Sequence, residues 1–393
     1  MKEIYNIILK KEYFLIFTVF FLFFFCEAPF SVGSSIYLKN QNIEELWAYI
    51  LTASNISILI MPLIISRFSQ KFGNINVLTF SLVIVIAMFS LVLFKFNYVY
   101  LAFFSFPFFI RVFNNTLTPY IAKIEDDHEK SLVFSIRDIF LSLGIACGFL
   151  FSSYLAKDSF NFKSNVFIVT IILILIFIVI KVFKTNDTKI SANKKLKLFQ
   201  LPFKEVKNKK SLAAFIIISS GLSWVLITVS FLPIYLTSLG FESKFIFDYY
   251  SLAYFIVPFL GLIAAMKLKN INKKYIYIFD ISFDILPLAL ICISQSVLGI
   301  ILSIVLFQAR DFVKPISLAY FFESFENNEI EAAWSLNASI SGAISILSPI
   351  IIMYFYQISP LSIFLISILI VLLITVIGIK YLPNNIKEKK QAS

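Results

Sequence analysis

The sequence predicts an all-α membrane protein whose twelve helical spans form two pseudo-symmetric bundles of six. Three observations carry that prediction. Hydrophobic residues fill 59% of 393 positions against 15% charged, and mean hydropathy is +0.89, too apolar for a water-soluble exterior. The apolar residues fall into stretches of roughly 18 to 25 residues, the length a helix needs to cross about 30 Å of hydrocarbon. One stretch also occurs twice: FIRVFNNTLTPYIAKIEDDHEKSLVFS at 109–135 returns as FQARDFVKPISLAYFFESFENNEIEAAWS at 307–335. Each copy has a mid-span arginine (Arg111, Arg310), an exit tyrosine (Tyr120, Tyr320), a short acidic loop and a re-entry at Phe-Ser or Trp-Ser. Such a repeat implies two parallel halves around a site near the bilayer midplane.

In order, the spans are expected near 13–36, 46–66, 75–95, 98–121, 131–155, 165–183, 211–236, 245–267, 274–293, 297–322, 331–357 and 361–381. The first apolar run, 13–37, is too long for a signal-peptide core and lacks a small-residue cleavage pattern, so it counts as a membrane helix. Short connections make consecutive helices antiparallel neighbours. The one long connection, 181–210, holds ten lysines and divides the chain into an N-terminal bundle (1–180), a basic linker and a C-terminal bundle (211–393). Its charge suits an anionic inner leaflet. The net charge of +11 sits mainly in the connections, so it reads as topogenic charge and implies no nucleic-acid partner. With the N-terminus inside, roughly 25 Lys and Arg lie on the cytoplasmic side and about 5 outside, which places both termini in the cytoplasm. Trp47 and Trp334, at span ends, read as interface anchors.

Other function classes lack their residues. Cys26, Cys147 and Cys292 fall inside spans, with no disulfide framework or zinc spacing among them. There is no Walker motif and no Gly-rich nucleotide cradle, so no built-in ATP hydrolysis is expected. The single His128 disfavours a membrane acyltransferase or metalloprotease. No cofactor and no metal are expected.

Six plus six spans, cytoplasmic termini and a basic central loop resemble the major facilitator superfamily over nearly the whole chain. Local motifs agree in part. Between spans 2 and 3 the family carries Gly-x-x-x-Asp-Arg/Lys-x-Gly-Arg/Lys-Arg/Lys; residues 66–75 read SRFSQKFGNI. Lys71 and Gly73 match, the glycine permitting a tight cytoplasmic turn. Gln70 replaces the carboxylate of the family's charge lock. Span 5 resembles the antiporter signature Gly-x-x-x-Gly-Pro-x-x-Gly-Gly: Gly144 and Gly148 hold their places, Phe149 replaces Pro, and Ser152 and Ser153 replace the final glycines. Small residues at this period also serve close helix packing. The equivalent position in span 11 carries Ser348-Pro349.

An ionisable side chain within a span is tolerated chiefly where it faces protein or water, so each is a candidate for function. Glu27 lies midway along span 1, which lines the central cavity in the resembled family, and Pro29 loosens the helix beside it. A weakly solvated carboxylate titrates nearer neutrality, as proton coupling requires; the other reading is a Glu hydrogen-bonded to a neighbouring helix end. In span 4, Arg111, Asn115 and Thr118 share one helical face, and Arg111 resembles the proton-transfer arginine of the family's drug antiporters. Arg310 and Lys314 share a face of span 10 beside Pro315, which is expected to break or kink the span, and with Arg111 these basic groups suggest an anionic moiety on the substrate. Pairing of Arg310 with Asp311 would instead leave the cavity nearly neutral. Trp224 either lines the cavity or packs. Arg137 and Asp138 in span 5, and Asp280 and Asp284 in span 9, are expected at shallow depth as gating charge pairs.

The resemblance thus implies a secondary active transporter, expected to act as a monomer in membrane lipid and to move a small-molecule substrate by proton-coupled export. A uniporter or proton-symport importer of a small organic anion is the alternative, and a lipid-modifying membrane enzyme a remote one.

Overall fold

Apolar segments without water must pair their backbone groups internally, and all regular structure among the described residues is helical. The computed structural model describes residues 11–124, 130–155, 161–182, 206–268, 271–294, 296–309, 312–326 and 329–383. His128, linker residues 183–205, Arg310 and Asp311 lie outside the described residues.

The first half is six uninterrupted helices: α1 (Lys11–Asn40), α2 (Glu45–Phe72), α3 (Asn74–Phe94), α4 (Val99–Ile124), α5 (Lys130–Leu155) and α6 (Phe162–Val182). The second half follows the same order, but four of its spans are broken. They are α7a (Lys209–Ser230) with α7b (Leu232–Ser238), α9a (Lys273–Phe283) with α9b (Ile285–Ile293), α10a (Val297–Ala309) with α10b (Lys314–Glu323), and α11a (Ile330–Ile344) with α11b (Ser348–Ile358). Only α8 (Ser243–Lys267) and α12 (Ser362–Tyr381) run through. Ten helices among the described residues are long and apolar enough to cross a membrane. The sequence-expected spans match these elements to within a few residues, except that α1 and α2 extend beyond both expected boundaries.

Each break has a proline in the first turn of its second segment: Pro233, Pro287, Pro315 and Pro349. Proline supplies no N–H to the carbonyl four residues earlier and crowds it. Pro29 and Pro62 sit inside α1 and α2, which nevertheless continue. In α1 the carbonyl deprived by Pro29 is that of Phe25, and Gly148 of α5 lies against it: a methyl at Gly148 would overlap the Phe25 carbonyl oxygen, as one at Gly144 would overlap that of Phe21. The two span-5 glycines are therefore where α5 meets the backbone of α1. Gly73 makes the α2–α3 turn at φ 90°, where a side chain would be strained. Lys71 is exposed, lying over the Phe72 ring at 5.1 Å.

The halves meet along two seams related by the internal repeat, α2 with α11 and α5 with α8. On the α5–α8 seam Phe149 packs against Phe247, Tyr250 and Tyr254, Ser251 Oγ donates to the Ala146 carbonyl at 3.0 Å, and Ser153 Oγ donates to Asp248. On the α2–α11 seam Asn55 Nδ2 donates to the Ser345 carbonyl at 2.7 Å and Gln357 Nε2 to Glu45 Oε1 at 2.8 Å. Trp47 is not a lipid-interface anchor: it is 6% exposed and its Nε1 donates to the Ser230 carbonyl, at the α7 break, over 3.2 Å. Trp334 likewise packs inward, against Phe321 and Phe322.

Candidate functional site

The polar face of α4 is set by helical periodicity. Arg111 and Asn115 are one turn apart, and Asn115 Nδ2 donates to the Arg111 carbonyl at 2.8 Å, while Thr118, another turn on, is buried. The opposite, aromatic face builds the wall between α1 and α4. There Phe23 stacks on Phe113 with centroids 3.9 Å apart, and Phe20 and Phe109 close around them. Glu27 follows Phe23 by one turn of α1. Its Oε1 accepts from Ser31 Oγ at 3.3 Å, and it lies near enough to Arg111 for the two charges to attract.

No direct ion pair joins them. Arg111 Nη2 reaches Ser54 Oγ of α2 at 3.5 Å, and its Nε is buried without a hydrogen-bond partner. Both Glu27 and Arg111 are only partly buried. An arginine with a donor free of hydrogen bonds is chemically able to bind an anionic group. The carboxylate nearby is chemically able to take up and release a proton.

On the other half, Trp224 of α7a is partly buried and its Nε1 has no hydrogen-bond partner. Asn337 of α11a donates to Ser219 Oγ at 3.0 Å, leaving its Oδ1 without a partner. Lys314 is exposed at the start of α10b. The adjacent Val313 and Ile316 pack on Ile276, one turn into α9a, so Lys314 sits nearer one end of the bundle than its middle. The sequence-expected contacts of Arg310 and Asp311 lie outside the described residues.

The charge pairs sort differently from expectation. Arg137 and Asp138 do pair, Nη2 to Oδ1 at 2.5 Å, and Arg137 is buried over the Phe134 and Phe20 rings. Asp284 is not shallow. It is fully buried at the α9 break, eleven residues beyond Lys273, which is about 16 Å along a helix and so near mid-span. Asp280 is partly exposed one turn earlier, and both aspartates take part in polar interactions. Counting along the span gives the depth of Asp284, but its complete burial at the break comes from packing that the sequence does not show.

Four polar residues escaped the sequence reading: Ser54, Asn55, Asn337 and Asp248. The two asparagines carry the signal that could have found them, an amide inside an apolar span. At the end of the molecule holding the α1–α2 and α11–α12 loops, a cavity of about 930 Å³ is bordered by Lys39, Glu44, Glu45, Tyr49, Tyr356 and Gln357. It straddles the two halves.

The sequence profile of the Major Facilitator Superfamily matches residues 15–309. The chain belongs to that superfamily. No curated protein matches it by sequence. Among solved structures, the human organic anion transporter MFSD10 (TETRAN) shares the fold with a TM-score of 0.73 at 12% identity, over 94% of this chain and 99% of that one. A point mutant of the nucleoside transporter NupG does so with a TM-score of 0.71 at 14% identity, over 94% and 100%. Identities this low speak for architecture alone. As a Major Facilitator protein this is a multi-span membrane protein and a secondary transporter, and the seams are where its halves meet.

Proposed function

We propose that this transporter exports a small organic solute across the cytoplasmic membrane in exchange for protons, with Glu27 as the proton acceptor and Arg111 controlling its charge. The observation that carries this reading is the pair itself: an acid and a base within electrostatic reach deep in the first half, with no direct ion pair between them. A bonded pair would hold both charges fixed; a separated pair leaves Glu27 free to take up a proton and Arg111 free to turn toward substrate. Asn115, Thr118 and Trp224 border the substrate, Arg310 and Lys314 supply further positive charge, and Arg137, Asp138, Asp280, Asp284 and Asp311 form the charge pairs that shift as the halves rock. Both termini face the cytoplasm, the monomer is the working unit, and the linker 181–210 separates bundles 1–180 and 211–393.

The unused Arg111 Nε also favours a second reading, uniport or proton-symport import of a small organic anion. One experiment separates them. Purified protein is reconstituted in proteoliposomes, intravesicular pH is followed across a substrate library, and Glu27→Gln is run in parallel. Export is supported if substrate drives proton movement in the opposite sense and the Glu27→Gln protein moves none. Substrate flux without proton movement would remove Glu27 from its role, and flux in the same sense as protons would establish symport.

A further inference from the structure

Alternating access requires the two halves to part along their seams, and the α2–α11 seam holds a backbone carbonyl with a particular need. Pro349 has no N–H, so the Ser345 carbonyl four residues earlier lacks the donor a continuous helix would give it. Two groups serve it instead: the Ser348 N–H at 3.2 Å, in a tight turn, and Asn55 Nδ2 at 2.7 Å, from the other half of the molecule. Asn55 is 5% exposed and Ser345 1%, so bulk water does not reach the bond. The residue before Asn55 is Ser54, the contact of Arg111.

We propose that Asn55 is a positioning residue of the transport cycle, which holds the break in α11 from the opposite half and so makes the bent form of that helix conditional on a closed α2–α11 seam. When the seam parts, the carbonyl loses its shorter bond, and α11 is released to straighten or rotate. The device depends on neither the substrate nor the coupling ion. Arg111 touches its neighbour on α2, which puts the candidate binding site one residue from the clamp.

The test uses Trp47, buried on α2 two turns before Asn55, where α2 meets the α7 break of the other half. In full-length protein carrying Trp224→Phe and Trp334→Phe, its emission reports whether the seam is dry. Asn55→Leu removes the donor at similar volume; it should shift Trp47 emission to the red and speed amide exchange across residues 345–351 by about fivefold, the effect of one hydrogen bond. Pro349→Ala restores the missing N–H, so in the double variant the Ser345 carbonyl no longer needs Asn55 and both readouts should return to those of the parent. A packing defect at position 55 would not be rescued in this way. The proposal is overturned if Asn55→Leu changes neither readout, or if its effect persists undiminished beside Pro349→Ala. Should Asn55→Leu fail to accumulate folded protein, Asn55→Ala is carried through the same cycle with the same two outcomes.

Discussion

An alanine at Gly148 would drive its methyl carbon into the Phe25 carbonyl and against Pro29 Cγ. Backbone cannot give way as a flexible side chain does, so Gly148→Ala should lower stability by about 1–3 kcal/mol, seen as a lower midpoint in thermal unfolding. Glycine at this site thus serves close approach, whatever part the antiporter-like motif plays in transport. At the α1–α2 loop, Lys39 Nζ bonds Glu44 Oε1 at 2.8 Å. Burial pulls the Glu44 carboxyl upward, but the Lys39 hydrogen bond, a backbone hydrogen bond and the Lys39 charge together hold it below the usual range. The stabilisation is therefore present above about pH 4.3, the ordinary glutamate value, and is lost as pH falls through the lowered one. For a partly exposed pair it amounts to at most about 1 kcal/mol. Unfolding midpoints of wild type and Glu44→Gln should differ slightly at neutral pH and converge in acid.

Among the elements, α2 does more than span. Its Trp47 and Asn55 reach carbonyls at the breaks of α7 and α11, so the irregular backbone of one half is satisfied by side chains of the other. Trp47→Phe keeps the ring packing and removes the donor. It should cost about 1 kcal/mol, more if the Ser230 carbonyl is left dry, as read from thermal unfolding. On the pseudo-symmetric seam Asp248 accepts from both Ser153 and Lys244. Its partly exposed position makes Asp248→Asn a mild change in stability, under about 1 kcal/mol.

Across the whole molecule the repeat is uneven. The first half keeps six continuous helices and the second breaks four at prolines, which concentrates deformable backbone on one side of the seams. Local opening follows where helical hydrogen bonds are interrupted. In hydrogen-exchange mass spectrometry of the intact protein, peptides covering 229–233, 282–286 and 344–349 should therefore exchange faster than mid-span peptides of α1, α3 and α5. Uniform protection of both halves would contradict this division.

Much of this architecture was legible from residues. Apolar runs of membrane length, lysine-rich connections and the repeated Arg, Tyr, acidic loop and Ser pattern determine spans and two-fold order, because lipid leaves helices as the economical solution for so apolar a chain. The polar face of Arg111, Asn115 and Thr118 follows from helical periodicity alone. Prolines announced their breaks only in part: Pro315 breaks span 10 as expected, whereas Pro29 is accommodated and Pro349 is not. The deprived carbonyls also meet different neighbours, a glycine of α5 at Phe25 and an asparagine of α2 at Ser345. The burial of Asp284 and Trp47, and the separation of Glu27 from Arg111, were likewise settled by neighbours distant in sequence. A single sequence records which groups a helix carries, whereas their partners are fixed only when the helices pack.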